Sequence, residues 1–148
     1  MHLVESSATK DVNEQSDFLL SIFSQNGELL ETNTFGHPSK DEVAFSISQT
    51  PDGGYVMSGY RNHGNGDSNP YLVKTDSNGV FLWDKEFELS EWSESAAFNY
   101  VDALGNIYLA SNKVKFEGNV WDYSNPWLCK LDPVGNVIWE RIFSNLSI

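Results

Sequence analysis

The chain has 148 residues, of which 40% are hydrophobic and 14% aromatic, enough to fill a core and too apolar for a wholly disordered segment. Its 21 acidic and 9 basic side chains leave a net charge of −12. That sign argues against nucleic acid and against an anionic membrane surface, both of which recruit lysine and arginine.

From the N-terminus, Leu3-Val4-Glu5-Ser6-Ser7 reads as the remnant of a strand, here named d. Strand a follows at 18–23, then the turn SQNG and strand b at 28–35. Strand c is expected at 43–49, the turn PDGG after it, and strand d at 55–60. The order then recurs: a at 71–75, the turn DSNG, b at 80–87, c at 95–101, the turn DALGN and d at 106–111. A last a at 127–131, the turn DPVG and b at 136–143 complete eleven predicted strands. Phe81, Trp83 and Phe87 alternate with polar or smaller residues, as do Val137, Trp139 and Phe143, the period of a strand with one buried face. The turn glycines supply a positive φ that other residues resist. No stretch carries a sustained helical period with caps.

The order recurs because the sequence repeats. SNPYLVKTDSNGVFLWDKEF at 68–87 and SNPWLCKLDPVGNVIWERIF at 124–143 share nine of twenty positions without a gap. A step of 52 relates Gly27 to Gly79 and Gly53 to Gly105, and a step of 56 relates Gly79 to Gly135. The four extra residues fit between Ser111 and Ser124. Self-similarity at this spacing marks stacked copies of one supersecondary unit. Trp83 and Trp139 are expected to be buried on strand b. Lys74 and Lys130 are expected to pair with Asp76 and Asp132 or the next strand, or to pack by their stems.

Asp52-Gly53-Gly54-Tyr55, Gly59, Tyr71-Leu72, Lys74, Asp76, Gly79 and Trp83 form a pattern, partly repeated by Trp127-Leu128, Lys130, Asp132, Gly135 and Trp139. It resembles the DGGY…G…YL-x-K-x-D-x-x-G…W repeats of secreted bacterial and archaeal proteins, which are related to β-propeller blades. The likeness covers about residues 3–143. The first copy departs, with Ile22 in place of lysine, Ser24 in place of aspartate and Glu31 in place of tryptophan. The resemblance implies four-stranded blades, usually outside a cell, and no catalytic residues.

The expected fold is therefore all-β: stacked four-stranded antiparallel blades of the β-propeller type, about three of them and incomplete. The chain is taken as one repeat domain, 1–148, with copies at about 3–60, 61–111 and 112–143. Counted c-d-a-b instead, it is three blades lacking one strand. Closed propellers need about four to eight blades. Either further copies belong to the same polypeptide or open edges drive self-association.

Short turns gather on one rim and the longer connections GHPSKDE, ELSEWSE, RNHGNGDSN and NKVKFEGNVWDYSN on the other. Binding residues belong on such loops, so Tyr60, His63, Trp92, Trp121 and Tyr123 are the candidate ligand-binding set, suited to a glycan or a peptide. Burial of the tryptophans in a sheet edge competes with that role. His37 and His63 share the rim with Asp41 and Asp67, but no CxxC, HExxH or EF-hand loop is present, so no metal or cofactor is expected. No GxSxG elbow or phosphate-binding loop appears. Glu91 and Glu94 flank Trp92 as a glycosidase pair would, although solvation accounts for them. The single cysteine excludes an internal disulfide, and Cys129, aligned with Val73, reads as a small core residue. No run suits a transmembrane or signal segment, leaving a cytoplasmic chain or one whose leader is missing. The reading is a non-catalytic extracellular or cell-surface repeat module for binding or structural assembly. The alternative is a fragment of a carbohydrate-active enzyme or a glycan-binding propeller.

Overall fold

The computed structural model describes residues 3–10, 15–64, 67–88, 93–94, 97–117 and 120–143, of which 3–10, 67, 93–94, 113–117 and 120–124 are described by backbone alone. Among these residues every regular element is a strand, and every pairing is antiparallel. The first sheet holds β1 (Leu3–Lys10), β2 (Ser16–Phe23) and β3 (Leu29–Phe35) in that order. The second holds β4 (Asp41–Gln49), β5 (Tyr55–Gly64), β6 (Asp67–Thr75) and β7 (Phe81–Glu86). In the third, β10 (Ile107–Glu117) and β11 (Val120–Leu131) are central and β12 (Val137–Ile142) lies outside β11. The short β8 (Ser93–Glu94) and β9 (Phe98–Val101) both pair with the other side of β10.

The sheets follow the order d-a-b, c-d-a-b and c-d-a-b, and their registers superpose under the sequence steps. Leu3 faces Phe23, Tyr55 faces Thr75, and Ile107 faces Leu131. Leu20 faces Asn33, Leu72 faces Lys85, and Leu128 faces Arg141. Even the register shift on strand a recurs, at Ile22/Phe23, Lys74/Thr75 and Lys130/Leu131. A bulge is a local feature of strand geometry, so its threefold recurrence reflects a common turn.

That turn has one chemistry. The amide of Gly79 donates to the Asp76 carbonyl, and the amide of Asp76 to the Val80 carbonyl; the same two bonds form at Gly27, Gly53, Gly105 and Gly135. All five glycines have φ between 79° and 90°, which an L side chain resists. Asp76, Asp102 and Asp132 each accept two backbone N–H bonds across the turn through Oδ1. Ser24 does the same through Oγ, with Asn26 and Glu28 as donors. Serine is tolerated in the first copy because only one acceptor oxygen is needed.

The long connections differ from expectation. RNHGNGDSN and NKVKFEGNVWDYSN are not loops on scaffold edges: β5 and β6 run on to Gly64 and Asp67, and β10 and β11 to Glu117 and Val120. In RNHGNGDSN every side chain is polar or absent, so alternation cannot be read there. The third hairpin keeps the second's register out to Val114–Ser124, so the four extra residues lengthen its tip.

Two cores lie between the sheets. Phe18, Leu20 and Ile22 of the first sheet meet Tyr55, Met57, Tyr71 and Val73 of the second. Val56 and Leu72, from the opposite face of the second, meet Ile107, Leu109, Trp127, Cys129 and Leu131 of the third. The middle sheet is thus covered on both faces, and residues 54–59 are buried without a break. Cys129 is fully buried, and burial pushes its thiol up to about 12. The expectation for the strand-b tryptophans is corrected: Trp83 and Trp139 are half-buried. Strand b is the outer strand of each sheet and lacks a neighbour on one side. Trp83 leans on the second core, whereas Trp139 meets Tyr108 edge-on at 6.5 Å. Among the described residues the fully buried indole is Trp127, on strand a.

Candidate functional site

Among the described residues a dense polar group forms on the second sheet, on the face turned toward the first. Residues paired across antiparallel strands share a face, and Glu42, Arg61 and Asn69 stand in one row across β4, β5 and β6. Tyr71 and Glu86 form the adjoining row, and His63 and Asp84 lie two residues along β5 and β7 from members of those rows. Arg61 occupies the centre. Its Nε donates to Glu42 Oε1 at 2.6 Å and its Nη1 to Glu86 Oε2 at 3.1 Å. Its guanidinium lies over the Tyr71 ring, 3.8 Å from the centroid.

The rest of the group surrounds this fork. Tyr71 donates its hydroxyl to Asp84 Oδ2 at 2.7 Å, and Asn69 Nδ2 donates to Glu86 Oε1 at 2.6 Å. His63 Nε2 bonds Glu86, while His63 Nδ1 accepts from Lys40 Nζ at 2.7 Å. These two bonds assign the tautomer with the proton on Nε2. The Glu42 carboxylate is fully buried and also takes the His37 amide at 3.4 Å. Its back is closed by Gly36, where a Cβ would come within 2.8 Å of Glu42 Oε2 and 1.9 Å of Asp17 Oδ1.

The charges respond to burial and to one another. Burial holds the Glu42 carboxyl above the usual range against the opposing pull of Arg61. At Glu86 burial pushes upward too, but the bonds from Asn69, His63 and Arg61 outweigh it and the pKa falls. Burial disfavours the Arg61 cation, and Glu42, Tyr71 and Glu86 more than restore it. Burial and the Asp84 bond raise the Tyr71 phenol far above its ordinary value. The group can clamp four strands at the hairpin end and brace them against the first sheet. Its outer member Asp84, 43% exposed at the side chain, lines an open groove of about 450 Å³ between β3 and β7 with Asn33, Phe35 and Phe81.

Four of the residues expected from sequence lie in the β5–β6 and β10–β11 hairpins. Tyr60 and His63 sit on β5, but only His63 joins the cluster; Tyr60 packs on Phe45 at a centroid distance of 5.7 Å. Trp121 and Tyr123 lie on β11 opposite Phe116 and Lys115, at the hairpin end and away from the Gly135 turn. Trp92 lies outside the described residues, as does Glu91. Sequence reading passed over Glu42, Arg61, Asn69 and Glu86. Register counted outward from the turns would have aligned them, had RNH been assigned to the strand.

At the turn rim, Lys74 is 3% exposed and bonds Asp52, Thr50 and the Thr75 carbonyl. Of the alternatives expected for Lys74, the structure shows an ion pair on the side of the neighbouring strand, with Asp52 in the turn before β5; the Asp52 carboxyl is held down by bonds from Thr50, the Gly54 amide and Lys74 against burial. Lys130, the equivalent residue, has its ammonium 5.0 Å from the Tyr108 ring centroid. Among the described residues no helix is long and apolar enough to cross a membrane. No family model matches the chain, and no curated protein matches its sequence.

Proposed function

We propose that this chain is a non-catalytic repeat module of the β-propeller type, working outside the cell or at its surface by binding or structural assembly. The observation that carries this reading is the superposition of three sheets in strand order, register, strand-a bulge and turn chemistry. Antiparallel sheets stacked face to face with hydrophobic cores between them are the construction of propeller blades. The polar cluster supports a structural role, because its charged arms are directed at one another across β4–β7. The extracellular placement rests on the resemblance of the DGGY and YL-x-K-x-D patterns to secreted repeats.

Two measurements test the reading. Glycans are screened for binding on an array, and the same glycans are incubated with the protein and analysed for cleavage. Binding without turnover, or neither, is the expected outcome; cleavage of a glycosidic bond refutes the non-catalytic assignment. Protease treatment of intact producing cells tests the location: the chain should be digested while cytoplasmic markers survive.

A further inference from the structure

We infer that the outer face of the third sheet docks the first sheet of a second copy of this chain, head to tail. This inference rests on the stacked-repeat reading above and names the partner and the surfaces. The contact has already been made twice inside the molecule. The Gly79 turn of the second sheet lies against the first, where a Cβ would come 3.2 Å from Leu20 and 3.3 Å from Ile22. The Gly135 turn of the third sheet lies against the second, 3.3 Å from the Trp83 ring by the same measure.

The same sequence steps carry both halves of this contact to open positions. Leu20 and Leu72 are fully buried, and their equivalent Leu128 is 37% exposed. Trp83 covers the Gly135 turn, and its equivalent Trp139 has no such turn against it among the described residues. On the other side, Gly27 is the equivalent of Gly79 and Gly135, and a Cβ there would meet nothing within 4 Å. Phe35 and Phe81 join the first two sheets at a centroid distance of 6.3 Å. Their equivalents at the open ends are Phe143, 40% exposed, and Leu29, 56% exposed.

The third sheet's face carries further apolar surface beside two cations, Lys130 and Arg141, which pair across the strands with Trp139 and Leu128. Tyr100 is 64% exposed and stands 6.1 Å from Tyr108, and with Leu128 they line a shallow hollow of about 190 Å³. Contiguous exposed apolar surface of this kind marks an interaction site. A first sheet from a second copy brings the Gly27 turn to Trp139 and Leu29 to Phe143, repeating the internal geometry. The net charge of −12 on each copy opposes the approach, so added salt strengthens docking.

The test uses the whole chain in sedimentation and light scattering, from submicromolar to high micromolar concentration, at low and high salt. The expected result is a mass that rises with concentration, and more steeply at high salt. Leu128→Asp and Leu29→Asp each weaken association by about tenfold or more. Mixing the two variants restores a one-to-one pair, because each keeps the surface the other has lost. Leu104→Asp, on a turn and 81% exposed, leaves association unchanged. A monomer throughout, association unmoved by either face variant, or no rescue on mixing overturns the docking. Near-ultraviolet dichroism on heating reads the internal stacking separately: a cooperative loss in the wild type and both variants keeps that reading even if docking fails. A non-cooperative loss removes the stacked-repeat reading and the docking with it.

Discussion

Replacing Gly59 by alanine tests a close contact between β4 and β5. Gly59 sits on β5 opposite Ala44 of β4 and Tyr71 of β6, beside the β4 bulge between Ala44 and Ser46. A Cβ at this position would lie 1.8 Å from the Val43 carbonyl oxygen, 2.8 Å from its carbon and 2.9 Å from Ala44 Cα. Ordinary contact begins near 3.4 Å, so β4 must move away by more than an ångström, and the obstacle is backbone that cannot rotate aside. Overpacking of this kind costs about 1–3 kcal/mol, and one or two stretched ladder hydrogen bonds add about 1 kcal/mol each. Together these predict a loss of about 3 kcal/mol, or a fall in the thermal midpoint of roughly 6–12 °C. The equivalent residue of the third sheet is Ser111, which is accommodated because β9 begins at Phe98 and its register reaches only Ala110. Ser111→Gly should therefore cost no more than about 1 kcal/mol. Denaturant and thermal unfolding of both variants provide the assay. A Gly59→Ala protein within about 0.5 kcal/mol of wild type would refute the strand contact.

Other perturbations follow from the same packing. Trp83→Ala should destabilise by about 2–3 kcal/mol and Trp139→Ala by about 1 kcal/mol or less, since only Trp83 leans on the second core; equal losses in denaturant titrations would contradict that asymmetry. Arg61→Met should cost about 3–5 kcal/mol at neutral pH because it strands the buried Glu42 carboxylate. Burial raises the Glu42 pKa in the fold, so its contribution is present below the unfolded value near 4.3 and lost as pH rises. The Arg61→Met deficit should accordingly shrink between neutral pH and about pH 5, which stability curves at several pH values would check. Asp102 and Asp132 show the opposite sign: bonds from Asn106 and Asn136, with backbone amides, hold their carboxyls down. Their contribution is present above about pH 4 and lost as pH falls through the lower folded values. Asp132→Ser should retain more stability than Asp132→Ala, as Ser24 performs the same turn role, and thermal midpoints would show the order.

The fold was legible wherever its cause is local. Glycines at 27, 53, 79, 105 and 135 mark five turns whose hydrogen bonds involve residues at most four apart. The remnant strand at Leu3 was found by offset alone, and β1 pairs in the register that the offset requires. The candidate site was much less legible. Arg61 draws its partners from β4 and β7, at sequence separations of 19 and 25. Neither the first nor the third copy has an arginine at that step, so the repeat gave no signal for it. His63 was selected as a rim residue, but its partner Glu86 lies beyond the repeat's shared positions.

Sequence by itself determined the number of turns, the strand order, the pairing register and the insertion at the third hairpin. Each of these follows from spacing along one chain and from the φ that glycine allows. Tertiary structure decided which face of each strand is covered. Leu72 and Leu128 are the same residue in the same repeat position, yet one is fully buried and the other is 37% exposed. The difference is the neighbouring sheet, and periodicity carries no information about what stands on the far side of a face. The partner of Lys74 has another origin. Both Asp52 and Asp76 sit at turns, and the pairing of β5 with β6 inside one sheet brings the PDGG turn to the lysine.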